Sequence, residues 1–187
     1  LPDAFILGKN FIGKDNVALI LGDNFFYGQS LSEKLKKCSK LNKGATIMLH
    51  KVQNPELFGV AKINSQNKII RIAEKPKKFV SDKAITGLYF FDNKVTKFAT
   101  KLKPSKRGEL EITDLLKKYK NINQLKAEQI GRGGAWLDTG SIEDYYKTSA
   151  FVQAVENRQG LKIACLEEIS YLNKWINKKE IRKQIIF

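Results

Sequence analysis

The sequence is poor in the residues from which disulfide frameworks, histidine-based metal centres and hydrolytic triads are built. It contains two cysteines, Cys38 and Cys165, and one histidine, His50, among 187 residues. The cysteines are far apart and lack the spacing of a metal site, so we interpret them as thiols of a protein in a reducing compartment. Because His50 lies in an apolar run, we interpret it as a core imidazole rather than as a catalyst.

Long apolar runs are absent as well. No run approaches the ~18 residues that suggest a membrane-spanning helix, and polar residues interrupt the first residues too early for a signal peptide. We therefore expect a cytoplasmic protein with no membrane partner. A hydrophobic content of 42% excludes a disordered chain. The length predicts a single domain over 1–187, of which 160–187 is a C-terminal helical extension.

Acidic residues are far fewer than basic ones, which raises the hypothesis of a nucleic-acid-binding protein. The formal net charge is +15, and such a charge would suit a polyanionic partner. However, the lysines are scattered singly and in pairs, and aromatic residues are not interleaved with them in a stacking pattern. A compositional bias explains this scatter better, so we expect no nucleic-acid partner. Steeply salt-dependent binding to DNA would reverse that expectation.

Apolar runs alternate with amphipathic segments in the first quarter of the chain. The continuous run Val17–Leu21 predicts a strand covered on both faces. Ser30 and Glu33 have the spacing of a capping box at the start of a helix, and ATIMLHKV predicts the next strand. This order predicts a βαβ unit with a parallel pair of strands.

The middle of the chain has a different pattern of strand and helix signals. FGVAKI and IIRIAEKP are separated by a polar turn and predict a hairpin, and Ala84–Phe91 predicts a further strand. GELEITDLLKKY predicts a helix whose apolar face is formed by Ile112, Leu115, Leu116 and Tyr119. Ser141 is expected to cap a long helix that Gly160 closes.

Two aspartates each follow an apolar run. Asp23 lies within LGDN, and Asp138 follows Trp136 and Leu137 within WLDTG. Two carboxylates that converge at one edge of a sheet would suit Mg²⁺, which takes one or two carboxylates together with phosphate oxygens. The alternative is that both are independent turn aspartates, because Asp is favoured where strands end.

Two further motifs carry charges that suit a phosphorylated sugar. Glu74 and Lys75 are adjacent on a segment that we interpret as extended, so their side chains should point to opposite faces. Glu74 could accept from sugar hydroxyls and Lys75 could contact a phosphate, or both could be part of a solvated strand end. Arg107 precedes a predicted helix start, where anions are attracted, unless it is an ordinary loop arginine.

Seven motifs follow one another in an order and at intervals that resemble one enzyme family. They are LGDNFFYG, NPELFGV, EKP, AITGLYFFD, KPSKRGELEITD, GRGGAWLDTGS and RQGLKIACLEEIS. Through nearly its whole length the chain resembles the glucose-1-phosphate thymidylyltransferases. The GD and EKP elements are shared with related sugar nucleotidyltransferases, whereas RGELEITD together with AWLDTG narrows the resemblance to the thymidylyl type.

The resemblance implies a three-layer α/β/α Rossmann-like nucleotidyltransferase fold with a mixed, mostly parallel sheet, and assembly as a homotetramer. It implies that dTTP and glucose 1-phosphate react to give dTDP-glucose and pyrophosphate, with Mg²⁺ as the cofactor. Two alternatives stay open: another sugar-1-phosphate nucleotidyltransferase such as a uridylyltransferase, and a non-catalytic remnant that binds a nucleotide-sugar.

The resemblance also implies roles for individual residues. Asp23 and Asp138 match two Mg²⁺-binding aspartates, and Asp23 and Asn24 adjoin the nucleotide-sugar. Lys75 and Arg107 match the catalytic cations that hold the sugar phosphate. The positions that line the sugar pocket are matched by Gly59, Glu74 and Ile85, with Thr86, Gly87 and Tyr89 close by.

Members of this family begin with a strand and a glycine-rich loop that cradles the triphosphate, and this sequence contains neither. The resemblance therefore implies a C-terminal fragment that begins inside the family pattern. Because the absent strand is a central one, its neighbours would expose unpaired backbone groups. We expect the chain on its own to be aggregation-prone or partly molten and to lack useful transferase activity.

Overall fold

The computed structural model describes residues 1–185, with side chains described through residue 183. The chain forms two compact units, the first Leu1–Asp138 and the second beginning at Thr139. The helices of the first unit are α1 (Asp3–Leu7), α2 (Lys9–Ile12), α3 (Leu31–Ser39), α4 (Lys94–Ala99) and α5 (Ile112–Asn121), with a 3-10 turn at Pro55–Leu57. Its strands are β1 (Val17–Ile20), β2 (Asn24–Gly28), β3 (Ala45–Lys51), β4 (Val60–Ile63), β5 (Ile69–Ala73), β6 (Lys83–Phe91), β7 (Leu125–Gln129) and β8 (Gly134–Asp138). The second unit contains α6 (Ile142–Gln159), α7 (Leu166–Leu172) and α8 (Lys178–Ile185).

No described helix combines the length and the apolar composition needed to cross a membrane.

The large sheet of the first unit is built around its longest strand, β6. The strands follow the order β5-β4-β6-β3-β7, and β1 also pairs with β6. Every residue of β6 after Lys83 is buried, as a strand covered on both faces requires. β3 pairs along one edge of β6, and the other edge is shared by β4 at Ala84 and β1 at Leu88–Phe91. β4 and β1 therefore pair with different ends of this edge, and we call the stretch of β6 between them, residues 85–87, the β6 fork.

The sheet is mixed, but the expectation that it is mostly parallel is wrong. Among the described strands, β3 and β7 form the one parallel pair, and the other pairs are antiparallel. The parallel pair predicted between β1 and β3 does not form, because β6 lies between them and pairs antiparallel with each. The predicted α/β class is confirmed, as is the hairpin formed by β4 and β5.

The first strand is less buried than its apolar sequence predicts. Val17 and Leu19 are half-buried, whereas Ala18 and Ile20 are exposed, and Ile20 keeps 58% of its surface accessible. Alternate residues of a strand point to opposite faces, and the core covers one face of β1. The expectation of a strand covered on both faces is therefore wrong.

Helices lie on both faces of the large sheet. On one face, α1 and α5 contribute Phe5 and Leu115 to a buried cluster with alternate residues of β3 and β6. On the other face, α3 contributes Cys38 to a second cluster, which also contains Trp136 of the small β2–β8 sheet. The layers follow the α/β/α order that the resemblance implies.

Local sequence signals identify the ends and faces of most helices. The four apolar residues predicted for the inward face of α5 are all buried. Ser141 Oγ accepts a hydrogen bond from the Asp144 backbone N–H at 3.0 Å, and Gly160 closes α6 with φ of 67°, both as predicted. The cap predicted at Ser30 is wrong: its φ of 62° is left-handed and its side chain makes no capping bond, whereas a capping residue needs extended backbone.

Candidate active site

The two aspartates singled out in the sequence come together in the small antiparallel sheet. In the β2–β8 ladder, Asn24 pairs directly with Asp138, and Asp23 immediately precedes Asn24. Residues that face each other in such a ladder lie about 5 Å apart at Cβ. The two carboxylates therefore belong to neighbouring positions at one end of this sheet, as a shared site requires.

Asn24 joins this end of the small sheet to the β6 fork. Its Oδ1 accepts one hydrogen bond from the Gly87 backbone N–H at 3.0 Å and another from Trp136 Nε1 at 2.6 Å. Its Nδ2 donates to Asp23 Oδ1 at 2.7 Å. The carboxamide thus links β2, β8 and β6 and contacts one of the two candidate metal ligands.

Gly87 is a glycine because Asn24 fills the space beside it. A Cβ atom at position 87 would lie 2.6 Å from Asn24 Cγ and Oδ1, a separation that no side chain tolerates without displacement of its neighbour. The close approach explains one of the residues that the resemblance places near the sugar pocket.

A second group of candidate residues adjoins the other side of the fork. The Ile85 backbone N–H donates to the Gly59 carbonyl at 2.7 Å. A methyl group at Gly59 would lie 3.2 Å from Glu74 Oε2 and 3.1 Å from Thr113 Cγ2. Gly59, Glu74 and Ile85 are therefore neighbours, as expected of residues that line one pocket. Ile85 and Gly87 are two positions apart on β6, a rise of about 7 Å, so the two groups are adjacent.

Glu74 is half-buried, and its surroundings disfavour its charge. Burial raises the pKa of Glu74 above its ordinary value, the neighbouring Glu111 carboxylate raises it further, and the Lys75 and Arg107 cations lower it. The nearby Thr113 hydroxyl also lowers the pKa of Glu74. Thr113 Oγ1 is buried, and among the described residues it has no hydrogen-bond partner of regular geometry. A carboxyl group in this position is suited to accept hydrogen bonds from a polar ligand.

Lys75 does not lie on an extended segment, contrary to the sequence-based interpretation. β5 ends at Ala73, and Lys75 has a φ of 37° in the bend that follows. Its backbone N–H donates to the Phe58 carbonyl at 3.1 Å, which fixes the bend against the segment before Gly59. The exposed Lys75 side chain therefore extends from a bend and not from a strand, and its charge is near enough to lower the pKa of Glu74.

Arg107 lies in the loop before α5, as predicted. Its Nη2 pairs with Glu109 Oε2 at 3.1 Å, and its Nε lies 3.7 Å from Glu111 Oε1. Glu111 is largely buried and also accepts from Ser105 Oγ at 2.8 Å. The guanidinium remains 48% exposed, so it is accessible to an anion while its loop is held by Glu111.

Thr86 and Tyr89 are placed differently from the other candidates. Thr86 is fully buried and its hydroxyl donates to the Met48 carbonyl at 3.0 Å. Tyr89 is 3% exposed and stacks on Phe91. Burial and then the Glu74 charge raise the pKa of Tyr89. Both side chains belong to the core behind the fork, so a ligand role for either residue stays a prediction.

Trp136 is the main site residue that sequence reasoning did not identify. It precedes Asp138 by two positions on β8, so strand alternation places both on the same face. Trp136 is 8% exposed and packs edge-on against Phe58, with ring centroids 5.1 Å apart. The WLD spacing could have indicated that Trp136 lies near Asp138. The hydrogen-bond partner of the Trp136 indole N–H, however, depends on the pairing of β8 with β2.

The donor set fits a hard divalent cation that is shared with a ligand. No group of three or more histidine, cysteine, aspartate or glutamate side chains among residues 1–183 could hold a metal ion by itself. Mg²⁺ usually takes one or two carboxylates from a protein when phosphate oxygens and water complete its octahedron. Asp23 and Asp138 supply that number.

Comparisons with known proteins identify the family. A family model described as nucleotidyl transferase matches residues 1–155. The chain is similar to the glucose-1-phosphate thymidylyltransferase of Neisseria meningitidis serogroup A, with 49% identity over 183 residues, and to that of Mycobacterium tuberculosis, with 41% identity over 181 residues. These matches cover 98% and 97% of this chain and 64% and 62% of the two relatives. The chain thus spans less than two thirds of their length.

Solved structures give the same result for the fold. A crystal structure assigned to a glucose-1-phosphate thymidylyltransferase of Bacillus anthracis, in complex with sucrose, has a TM-score of 0.72 and 38% identity, and the match covers 81% of this chain and 60% of that one. A UDP-glucose pyrophosphorylase complexed with UDP-glucose has a TM-score of 0.72 at 23% identity, with 82% and 62% covered. The second likeness concerns the fold alone.

Proposed function

The chain belongs to the nucleotidyl transferase family, and from that premise we propose that it carries the metal-binding and sugar-phosphate-binding groups of a thymidylyltransferase. The proposed reaction joins dTTP and glucose 1-phosphate and yields dTDP-glucose and pyrophosphate. The proposed substrate type rests on the similarity to proteins named glucose-1-phosphate thymidylyltransferase.

One observation carries the proposal. Asp23 and Asp138 are brought to neighbouring positions by the β2–β8 ladder, and Asn24 connects them to the same β6 fork that holds Gly59 and Glu74. A carboxylate pair beside a half-buried acceptor is the combination expected where a phosphate group and a sugar are bound side by side.

The reaction needs no protein nucleophile. A phosphate oxygen of glucose 1-phosphate attacks the α-phosphorus of dTTP in line, and the bond from that phosphorus to the bridging oxygen breaks, so pyrophosphate leaves. The protein must hold two anions that repel each other and neutralise the charge that develops. Mg²⁺ held by Asp23 and Asp138 would supply part of that neutralisation when bound.

The other groups divide the binding of the sugar phosphate. Lys75 and Arg107 are the exposed cations next to Glu74, and Arg107 would exchange its exposed partner Glu109 for the phosphate. Glu74 accepts from sugar hydroxyls, and Gly59, which has no side chain, leaves room for the Glu74 carboxyl beside it. We propose that the whole protein assembles as a homotetramer, which light scattering on the purified protein would test.

Mg²⁺-dependent ligand binding tests the proposal. Calorimetric titration of the whole protein with dTDP-glucose should show affinity that rises on addition of Mg²⁺ and is lost in Asp138→Asn. The matched control is Asp15→Asn, because Asp15 is an exposed aspartate outside the site. Binding that depends neither on Mg²⁺ nor on Asp138 would overturn the proposal.

Pyrophosphate release identifies the reaction and the base. In the whole protein, pyrophosphate release in the presence of glucose 1-phosphate should be faster with dTTP than with UTP. Equal or faster release with UTP would instead favour a uridylyltransferase. Mg²⁺-dependent binding of dTDP-glucose without release from either nucleotide would indicate a protein that binds nucleotide-sugars without catalysis.

A further inference from the structure

Asn24 occupies a position that suits a role different from direct ligand binding. We propose that Asn24 is a positioning residue: Trp136 and Gly87 fix the orientation of its carboxamide, and the carboxamide in turn fixes the Asp23 carboxylate for metal binding. This inference rests on the proposed function, because it assumes that Asp23 is a metal ligand.

The chemistry of the donors determines which way the Asn24 amide points. The Trp136 indole nitrogen and the Gly87 backbone nitrogen can only donate hydrogen bonds. The atom of Asn24 that faces both, at 2.6 and 3.0 Å, must therefore be the oxygen. With the oxygen held by two donors, the amide cannot flip, and its nitrogen is directed at Asp23 Oδ1, 2.7 Å away.

The consequence is a carboxylate with a fixed orientation. Asp23 itself is exposed and follows Gly22 in a turn, and the hydrogen bond from Asn24 gives its Oδ1 a partner of fixed direction. A hydrogen bond from a half-buried amide, whose oxygen is already held by two donors, limits the orientations of the Asp23 carboxylate before a cation arrives. Partners of this kind commonly change metal affinity by 10–100-fold when they are removed.

The arrangement also couples the two sheets. Asn24 belongs to β2, Trp136 to β8 and Gly87 to β6, so the position of Asp23 depends on the fit of the small sheet against the large one. A Cβ atom at Gly87 would collide with the carboxamide at 2.6 Å. Gly87→Ala should therefore displace Asn24 without altering any group that touches the cation.

Mn²⁺ titration followed by electron paramagnetic resonance tests this inference, with Mn²⁺ alone as the probe. Trp136→Phe keeps an aromatic ring and removes the indole donor, so we expect a Kd for Mn²⁺ about tenfold weaker. Asn24→Ala should weaken binding at least as much. Phe58→Leu is the matched control, because Phe58 packs on the Trp136 ring without belonging to the hydrogen-bond chain; its Kd should stay within about twofold of wild type.

A double variant separates positioning from general damage to the fold. If Trp136 acts through Asn24, then Asn24→Ala combined with Trp136→Phe should bind Mn²⁺ no more weakly than Asn24→Ala alone, since groups in one network are not additive. Fully additive losses would overturn the inference. Should Trp136→Phe fail to fold, Gly87→Ala takes its place, with the same expected loss and the same double-variant comparison.

The outcomes distinguish this inference from the proposed function. Mn²⁺ binding that is lost in Asp138→Asn but unchanged in Trp136→Phe and Asn24→Ala would leave the metal site standing and overturn the positioning role. A wild-type protein that binds no Mn²⁺ would overturn the metal site and the positioning role together.

Discussion

The two sheets of the first unit differ in burial and in the chemistry that they carry. β6 and β3 of the large sheet are almost continuously buried, and their residues pack against helices on both faces. Every residue of β2 in the small sheet is half-buried, and Asp23 and Asp138 lie at one of its ends. The large sheet therefore provides the strands around which both buried clusters form, and the small sheet presents the two candidate carboxylates at one end.

The largest expected effect on stability comes from a substitution in the core of the large sheet. Phe91 is fully buried and its ring contacts Phe5 and Tyr119, with centroids 5.2 and 5.5 Å apart. Phe91→Ala should lower the free energy of unfolding by about 3–5 kcal/mol, because it removes apolar burial and leaves a cavity. Urea unfolding of the whole protein, followed by circular dichroism, measures this loss.

The small sheet provides the contrasting variant. Asp138→Asn should change the free energy of unfolding by less than about 1 kcal/mol, since it keeps the volume of a half-buried side chain. If Asp138→Asn destabilised the protein as much as Phe91→Ala, the division between a stabilising and a functional sheet would be wrong.

An intermediate effect is expected at a polar anchor of the large-sheet core. Tyr119 OH donates to Asp92 Oδ1 at 2.7 Å, and Asp92 Oδ2 accepts from the Gly44 backbone N–H at 2.8 Å. Tyr119→Phe leaves a buried carboxylate with one donor fewer, so the free energy of unfolding should fall by about 1–3 kcal/mol. Tyr145→Phe, at an exposed tyrosine of α6, is the control and should leave the urea midpoint unchanged.

The smallest expected effect concerns pH and the site group beside the fork. Because burial raises the pKa of Glu74 in the folded state, its contribution to stability is full at acid pH and is lost as the pH rises through that folded-state pKa. Glu74→Gln mimics the protonated group, so it should be more stable than wild type at neutral pH, with the difference vanishing at acid pH. Urea midpoints of wild type and Glu74→Gln should be measured between pH 4 and pH 8, roughly the range over which a raised carboxyl pKa acts. If the folded protein stabilised Glu74 as the carboxylate, Glu74→Gln would instead be less stable than wild type at neutral pH.

Local patterns identified most elements but not their neighbours. The inward face of α5, the caps of α6 and the β4–β5 hairpin follow from residues close together in sequence. The pairing of β1 does not, because its partner β6 lies more than sixty residues later. Nothing in Val17–Ile20 indicates that β6 would insert between β1 and β3 and make the sheet mostly antiparallel.

Sequence motifs likewise identified some of the site residues, while the role of others depends on strand pairing. The motifs identified Asp23 and Asp138, whose proximity the register of β2 and β8 then provides. The role of Trp136 depends on that register together with the approach of Asn24 to Gly87, and neither can be deduced from spacing along the chain. The bend at Lys75 was also not predictable, because a non-glycine residue with φ of 37° has no local sequence signal.

We propose that Asp23 and Asp138 hold one divalent cation between them, and the stoichiometry of Mn²⁺ binding is the sharpest check of that proposal. One ion should bind per chain, Asp23→Asn and Asp138→Asn should each weaken its binding at least about tenfold, and the double variant should retain no site. Two ions per chain, each lost with only one of the two substitutions, or an affinity that neither substitution changes, would contradict it.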